Sequence, residues 1–220
     1  MLSPRCIDSR RIAAGLVALL LLSACAGLVP EKAPDSAREA RRGAAVGAGN
    51  TDATVPPRVL TLYEQAAASM AAGDYLDAEL RFKEFLLQYP EYPGAHVNLA
   101  IIHANNDNVD AAEAALDAAL ALNPEHPAAL NQLGMLLRRN GKFIEAEAAY
   151  MKAVTVSPDY ALAHYNLGVL NELYLQRLDV ALRHFETYQS LVGEDKQVAR
   201  WIKDLRRRVA AAESTASLTD

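Results

Sequence analysis

Apolar residues recur along this chain with the period of an α-helix, and the helical segments themselves recur every 34 residues. The pattern is clearest in residues 127–160, where Leu130, Leu133 and Leu137 are separated by three and four positions. This spacing places the three leucines on one face of a helix. Gly141 then marks a reversal of the chain, because glycine adopts turn conformations without steric cost. The segment therefore predicts a first helix, a short turn and a second helix.

Small residues and prolines repeat at the same interval in the neighbouring segments. Where the first helix of each pair would cross the second, the residues are Ala66, Ala100, Gly134 and Gly168. The matching small residues of the second helices are Ala78, Ala112, Ala146 and, one place late, Ala181. Prolines, which cannot continue a helix interior, follow at Pro90, Pro124 and Pro158. We therefore predict four helical hairpins, at residues 59–92, 93–126, 127–160 and 161–195.

These landmarks resemble the tetratricopeptide repeat (TPR), a helix–turn–helix unit with the same period. The third unit carries the resemblance most fully, through Leu133, Gly134, Ala146, Tyr150 and Pro158. A single hairpin of this kind leaves an apolar face uncovered, so neighbouring units must stack on it. The resemblance implies an all-α fold, a TPR solenoid of four helix-turn-helix repeats.

The two terminal repeats depart from the pattern. In the first, Gln65 and Ser69 stand where apolar residues are usual, and Phe85 replaces a small residue. In the fourth, Gly168 and Ala181 are 13 positions apart, one more than the corresponding pair in the third repeat. We expect a longer turn between the two helices of the fourth repeat to absorb the extra residue.

The ends of the repeat array have their own patterns. After the fourth repeat, Val198, Ile202 and Leu205 lie at helical spacing among charged residues, which predicts a capping helix over residues 196–212. Residues 213–220 are expected to form a frayed tail. Before the first repeat, residues 25–58 are rich in Ala, Gly, Pro and Ser and predict a flexible tether of roughly 30 Å reach.

The chain begins with a basic and then apolar segment. Arg5, Arg10 and Arg11 precede an apolar run over residues 12–22, which is shorter than the roughly 20 residues that a membrane helix needs. This pattern predicts a signal peptide over residues 1–24. Two alternatives remain open from the residues, an ordinary secretory signal beside an incidental cysteine and an uncleaved amino-terminal anchor.

The quartet Leu22, Ser23, Ala24 and Cys25 resembles the bacterial lipobox. The resemblance implies that cleavage leaves Cys25 first and that its sulfur receives a diacylglyceryl group, so that acyl chains such as palmitate anchor the protein. It also implies, through Ala26 after the cysteine, sorting to the outer membrane with the mature protein facing the periplasm. No cysteine follows Cys25, so the mature chain can form no intramolecular disulfide.

Charge and motif content argue against several classes of activity. The formal net charge is −5, and loss of the leader would make it −7, so no general attraction for nucleic acid is expected. The sequence has no phosphate-binding glycine loop, nucleophile elbow or HExxH motif. We therefore predict no enzymatic activity and no cofactor, while a hydrolase or metal enzyme remains the rival class.

The histidines and the polar cluster at residues 105–110 are the candidates for metal ligands. His96 and His164 share a repeat position, which favours a packing role, and His96 and His103 lack a third ligand nearby. The cluster lacks the glycine and terminal glutamate of an EF-hand loop, so a helix turn with an N-cap is favoured. The sequence thus predicts no metal site.

Three carboxamides point to a binding surface instead. Asn98, Gln132 and Asn166 recur at intervals of 34, just before the Leu-Ala or Leu-Gly landmark of the second, third and fourth repeats. By resemblance to TPR superhelices this position faces a concave groove, and each amide offers a donor and an acceptor to an extended peptide backbone. The groove neighbours implied by the resemblance are Tyr63, Asn131, Met135, Arg138 and Tyr165. The alternative is that the amides only bond adjacent helices or water.

The resemblance also limits what the groove would recognise. The lysines of a chaperone-type carboxylate clamp are missing from the first and third repeats, so capture of a carboxy-terminal peptide is not supported, although Arg138 lies near the groove. We therefore expect a periplasm-facing scaffold that binds an extended segment of a partner envelope protein. The alternative is a pilotin-like assembly factor for a secretin, a pilus or a TonB-type envelope complex.

Overall fold

The computed structural model describes residues 56–216 of the chain. Within this range the fold is all-α, as the repeat pattern predicts. The first two hairpins are α1 (Pro57–Ala71) with α2 (Tyr75–Gln88) and α3 (Pro93–Asn105) with α4 (Val109–Leu122). The next two are α5 (Pro127–Arg139) with α6 (Phe143–Val156) and α7 (Ala161–Leu173) with α8 (Leu178–Val192). The final helix, α9 (Lys196–Ala216), follows the fourth hairpin.

The leader and the tether lie outside the described residues. The predicted signal peptide, the lipid-attachment residue Cys25 and nearly all of the tether therefore stay predictions from the sequence. In residues 56–216, no helix combines the length and the apolar character that a membrane crossing requires.

Helix starts are determined locally by proline and by capping side chains. Pro57, Pro93 and Pro127 occupy the first turn of α1, α3 and α5, where a backbone N–H would have no intrahelical acceptor. The side chains of Asp74 and Asn108 accept hydrogen bonds from the backbone N–H groups of α2 and α4. The cluster at residues 105–110 is thus a turn that ends in an N-cap.

The turn inside each hairpin contains one residue in the left-handed conformation. These residues are Gly73, Asp107, Gly141 and Gln176, with φ angles of 82°, 56°, 75° and 55°. Their spacing is 34, 34 and 35, so the extra residue of the fourth repeat lies in its turn, which spans residues 174–177. Glycine adopts this conformation freely, whereas Asp107 and Gln176 adopt it at a cost of roughly 1–2 kcal/mol.

Each hairpin closes where a small residue meets a large side chain of the second helix. In the third repeat the ring of Tyr150 lies against Gly134, and in the fourth the ring of Phe185 lies against Gly168. Ala66 with Phe82 and Ala100 with Leu116 are buried in the equivalent clusters of the first two repeats. The small residues at the predicted crossing positions are therefore buried with a large side chain of the paired helix.

The hairpins stack in sequence, with the odd-numbered helices on the inner side. Helices α1, α3, α5 and α7 contact one another in order, and each even-numbered helix packs between its own partner and the next odd-numbered helix. This arrangement curves the array around the odd-numbered helices. Helix α9 closes the last hairpin by burying Val198, Ile202 and Leu205 against α8 and so acts as the predicted cap.

The first repeat replaces part of its apolar contact with a polar network. Ser69 donates to Asp77 Oδ2 at 2.5 Å, and Arg81 Nε donates to the same oxygen at 2.5 Å. Arg81 also reaches Gln65 Oε1 at 3.4 Å. The unusual polar residues of α1, Gln65 and Ser69, thus face Asp77 and Arg81 on α2.

Candidate functional site

Among the described residues, two hydrogen bonds from one side chain to another join neighbouring inner helices. Asn98 Nδ2 on α3 donates to Tyr63 Oη on α1 at 2.8 Å, and Asn166 Nδ2 on α7 donates to Asn131 Oδ1 on α5 at 2.9 Å. Both bonds connect residues 35 positions apart, one more than the repeat length. Each therefore runs from one inner helix to the inner helix before it, and the array is pinned between repeats one and two and between repeats three and four.

The two pinned asparagines are nearly buried but keep one polar atom available. Asn98 and Asn166 are each 6% exposed. Their Nδ2 groups are used as donors, while no residue of the described chain donates to either Oδ1. The structure thus uses the donor of each amide and leaves its acceptor without a partner among the described residues.

Gln132 differs from the two asparagines. Its counterpart on the preceding inner helix is Val97, which has no polar side-chain atom, so the bond made at the other two junctions has no equivalent here. Gln132 is half-buried, and its amide has no hydrogen-bond partner among residues 56–216. Both the donor and the acceptor of this amide are therefore unused within the described part of the chain.

The tyrosines of the predicted groove are held in aromatic clusters. Tyr63 packs edge-on against Phe82 and Phe85, each with ring centroids 5.5 Å apart. Burial, reinforced by the charge of Tyr92, raises the pKa of Tyr63 well above its usual range, so its hydroxyl stays neutral. At the other end of the array Tyr165 packs edge-on against Phe185 and in a tilted arrangement against Tyr188 and Trp201. These rings are therefore packed within the inner surface and do not project from it as separate contacts.

Met135 and Arg138 extend the inner surface along α5. Asn131 Nδ2 approaches Met135 Sδ at 3.8 Å, a weak contact that positions the flexible thioether beside the amides. The guanidinium carbon of Arg138 lies 5.7 Å from the ring centroid of Tyr174, a cation–π arrangement. Tyr174 also stacks on Phe143 with centroids 4.6 Å apart. Arg138 is thus positioned by the aromatic residues at the end of the hairpins.

The basic residues of the capping helix divide into two groups. Arg206 pairs with Glu186 on α8 at 2.7 Å, and Arg208 pairs with Glu172 on α7 at 3.0 Å. These bonds tie α9 to the fourth repeat. Lys203 is exposed, so the basic character that the sequence places on this helix contributes both to attachment and to a charged outer face.

A cluster with the three or four protein ligands of a zinc enzyme or a structural zinc site is not found in residues 56–216. No set of three or more His, Cys, Asp and Glu side chains converges in residues 56–216. An open cleft of about 340 Å³ lies between α4, α5 and α6, but its walls are mainly apolar and include Leu120, Leu133 and Leu137. Such a cleft provides mainly apolar contact area, and Glu145 and Lys152 are the charged residues of its lining.

Sequence reasoning did not identify the acceptors of the two amide bonds as such. Tyr63 and Asn131 were placed in the groove by resemblance, whereas the structure uses them to hold Asn98 and Asn166. The sequence feature that could have identified these two acceptors is the spacing of 35 positions between polar residues on successive inner helices. Tyr174 was not singled out, because it lies in the turn that absorbs the extra residue of the fourth repeat.

Comparison with solved structures supports the same architecture. A structure described as a functional characterization of Pseudomonas aeruginosa pilF matches with a TM-score of 0.63 and 21% identity, covering 70% of this chain and 69% of that one. Yeast Tom70 matches with a TM-score of 0.60 and 23% identity, over 70% of this chain and 34% of that one. MamA from Desulfovibrio magneticus RS-1 matches with a TM-score of 0.56 and 19% identity, over 73% and 90%. At these identities the likeness shows the fold alone.

Family models locate the repeats within the chain. The model described as "Tetratricopeptide repeat" matches residues 69–136, and the model described as "TPR repeat" matches residues 134–173. No curated protein sequence matches the chain. Together with the stacked hairpins and their inner helix layer, these matches identify residues 69–173 as tetratricopeptide repeats within an all-α solenoid, a fold suited to protein–protein interaction.

Proposed function

We propose that the chain is a non-enzymatic scaffold that binds an extended segment of a partner envelope protein along its inner helices. The observation that carries this proposal is Gln132, a half-buried amide at the middle of the inner surface with no hydrogen-bond partner among the described residues. A polar group in such a position is well placed to bond a ligand, because it gains partners that the protein does not supply.

The neighbouring asparagines support an extended ligand. The free Oδ1 atoms of Asn98 and Asn166 are acceptors, and they lie one repeat before and one repeat after Gln132. Backbone N–H groups of an extended peptide are donors that would satisfy them. Three amides in line would bind the backbone of the partner, and Met135 would adapt to its side chains.

The proposal places this surface at the bacterial outer membrane, on the periplasmic side. Its support is the basic and apolar leader followed by the lipobox-like sequence ending in Cys25. Acyl chains on Cys25 would contribute roughly 0.8 kcal/mol for each buried methylene, enough to hold the protein at a bilayer when several chains are attached. The tether would then let the repeats reach a partner close to the membrane.

The groove is tested by cross-linking and then by affinity. A photoreactive amino acid at position 132 should cross-link to a discrete envelope protein in cells, whereas the same amino acid at the outer, exposed position of Gln88 should not. With that partner purified, Gln132→Ala should weaken binding by about fivefold or more, the equivalent of about 1 kcal/mol. Gln88→Ala is the matched control and should bind normally.

Two results would reject the groove. One is a cross-link that forms equally at positions 88 and 132, and the other is unchanged affinity of the Gln132→Ala variant. Asn98→Ala and Asn166→Ala are poorer probes, because each also removes a buried bond between helices and so reduces stability.

The anchor is tested separately. Cys25→Ser should abolish incorporation of labelled palmitate and move the protein from the outer-membrane fraction to the soluble fraction. Cys6→Ser, in the leader, is the control and should leave both properties unchanged. A Cys25→Ser protein that is still labelled and still sediments with the membrane would contradict the lipid anchor without bearing on the groove.

A further inference from the structure

Two histidines of the fourth repeat face each other across its helices. His164 on α7 and His184 on α8 place their Nδ1 atoms 3.1 Å apart. His164 Nε2 lies 3.1 Å from the backbone oxygen of Pro158, a distance at which Nε2–H donates to that carbonyl. Since Nε2 then carries the proton, the Nδ1 lone pair of His164 is directed at His184.

The second repeat contains a natural comparison. His96 occupies the same repeat position as His164, and its Nε2 lies 3.0 Å from the backbone oxygen of Pro90. In the described chain, however, only His164 has a second imidazole beside it. The bond to the proline carbonyl is therefore a shared packing feature, whereas the pair of facing nitrogens is particular to the fourth repeat.

The separation of the two nitrogens fits a shared metal ion. Two imidazole nitrogens bound to one tetrahedral Zn²⁺ at about 2.0–2.1 Å lie about 3.3 Å apart, close to the distance in the protein. We propose that His164 and His184 form a two-histidine site for a divalent transition-metal ion of the Zn²⁺ class. Imidazole is a preferred ligand for such ions, and a backbone acceptor on the distal nitrogen is the usual means of orienting a ligating histidine.

His184 is held in the neutral form that a metal ligand needs. Burial, with smaller effects from His164 and Arg183, lowers the pKa of His184 to about 4, so this imidazole is neutral at neutral pH. The charge of Arg183 is offset by Asp179, which it contacts at 2.9 Å. On binding, the proton of His184 moves from Nδ1 to Nε2 through solvent, and both Nδ1 lone pairs become ligands. This change of tautomer releases no net proton from His184.

The rest of the coordination sphere is not supplied by the described residues. No third His, Cys, Asp or Glu joins the pair in residues 56–216. Water molecules complete the sphere, which makes the site open and weaker than a closed structural zinc site. Because the two ligands belong to different helices, binding links α7 to α8 and stabilises the folded state increasingly as the ion concentration rises.

The site is tested by titrating ZnCl₂ into the full chain, with Cys6 and Cys25 replaced by serine to remove thiol ligands. Calorimetry should give one Zn²⁺ per chain for the parent protein and for His96→Ala, the matched control. In His184→Gln and in His164→Ala the affinity should fall about tenfold or more, and the Zn²⁺-dependent rise of Tm should disappear.

The use of two variants keeps the test decisive if one of them folds poorly. His184→Gln is the safer change, because His184 donates no bond to the backbone in the structure. Loss of Zn²⁺ binding in this variant, with a normal helical circular-dichroism spectrum, supports the site. Equal affinity in His184→Gln and the parent, or no binding by the parent up to about 1 mM Zn²⁺, would overturn it.

Discussion

The edge of the Tyr150 ring occupies the space in which a side chain on Gly134 would begin. A Cβ atom on residue 134 would stand 2.5 Å from Tyr150 Cε1, far inside the normal contact distance. The absence of a side chain at this position is thus what lets α5 and α6 approach closely enough to enclose a tyrosine.

Gly134→Ala should therefore destabilise the protein by about 1–3 kcal/mol, because the ring of Tyr150 must shift within a packed core. Chemical denaturation followed by circular dichroism measures the change. The second repeat suggests the compensating substitution, since Ala100 is buried there in the same cluster as Leu116. Gly134→Ala combined with Tyr150→Leu should cost less than the sum of the two single changes, and strict additivity would contradict the proposed clash.

The hydrogen bond between Asn166 and Asn131 should make the effects of substituting these two residues on stability non-additive. Asn131→Ala leaves Asn166 Nδ2 without its acceptor in a nearly buried position, at a cost of about 1–3 kcal/mol. The double variant with Asn166→Ala should cost less than the two single changes together. A double-mutant cycle by urea denaturation measures this, and a coupling energy near zero would show that the bond contributes nothing to stability.

Substitutions at two of the left-handed turn residues should change the stability of the protein in opposite directions. Gln176 has a φ of 55°, so Gln176→Gly should stabilise the protein by up to about 1 kcal/mol. Gly141 has a φ of 75°, and a methyl group there would meet no atom within 4 Å, so Gly141→Ala should cost about 1 kcal/mol through the backbone alone. Thermal unfolding of both variants checks the prediction, and shifts in the same direction would contradict it.

Stability should also depend on the protonation of His126. This N-cap residue is 4% exposed, its Nδ1 accepts a bond from Ala129 N–H, and burial lowers its pKa. On acidification, His126 binds a proton at a higher pH in the unfolded state than in the folded state. The free energy of unfolding should therefore keep its full value above about pH 6.5 and decrease as the pH falls toward the lowered pKa of the folded state.

His126→Asn should reduce this loss, since asparagine caps a helix without titrating. Urea denaturation at a series of pH values between about 4 and 8 measures the effect. The same substitution at the more exposed His103 is the control and should leave the pH dependence as it is in the parent. If His126→Asn has the same pH dependence as the parent, His126 is not its source.

The hairpins were predictable because their landmarks depend on local geometry. A glycine or alanine at a helix crossing and a proline after a helix each act within one repeat. Residues equivalent to Gly134 and Pro158 therefore reappear in successive repeats and can be recognised from the sequence. The extra residue of the fourth repeat was assigned to its turn for the same reason, since a helix interior does not accommodate an insertion without rotating its apolar face.

The orientation of the inner amides was harder to predict. Whether Asn98 bonds Tyr63 or faces the groove depends on how far one repeat is offset against the next, and that offset is a tertiary property. The pairing of His164 with His184 likewise depends on the rotation of α8 about its axis. Spacing within a single helix carries no information about either quantity.

The junctions of the inner layer have a mechanical consequence. Repeats one and two are joined on their inner helices by Asn98, and repeats three and four by Asn166. At the central junction Arg139 makes the link, donating at 2.8 Å both to the carbonyl of Ala104 and to Asp107. Every junction is thus held without the amide of Gln132, so a ligand that bonds this amide would break no contact between repeats.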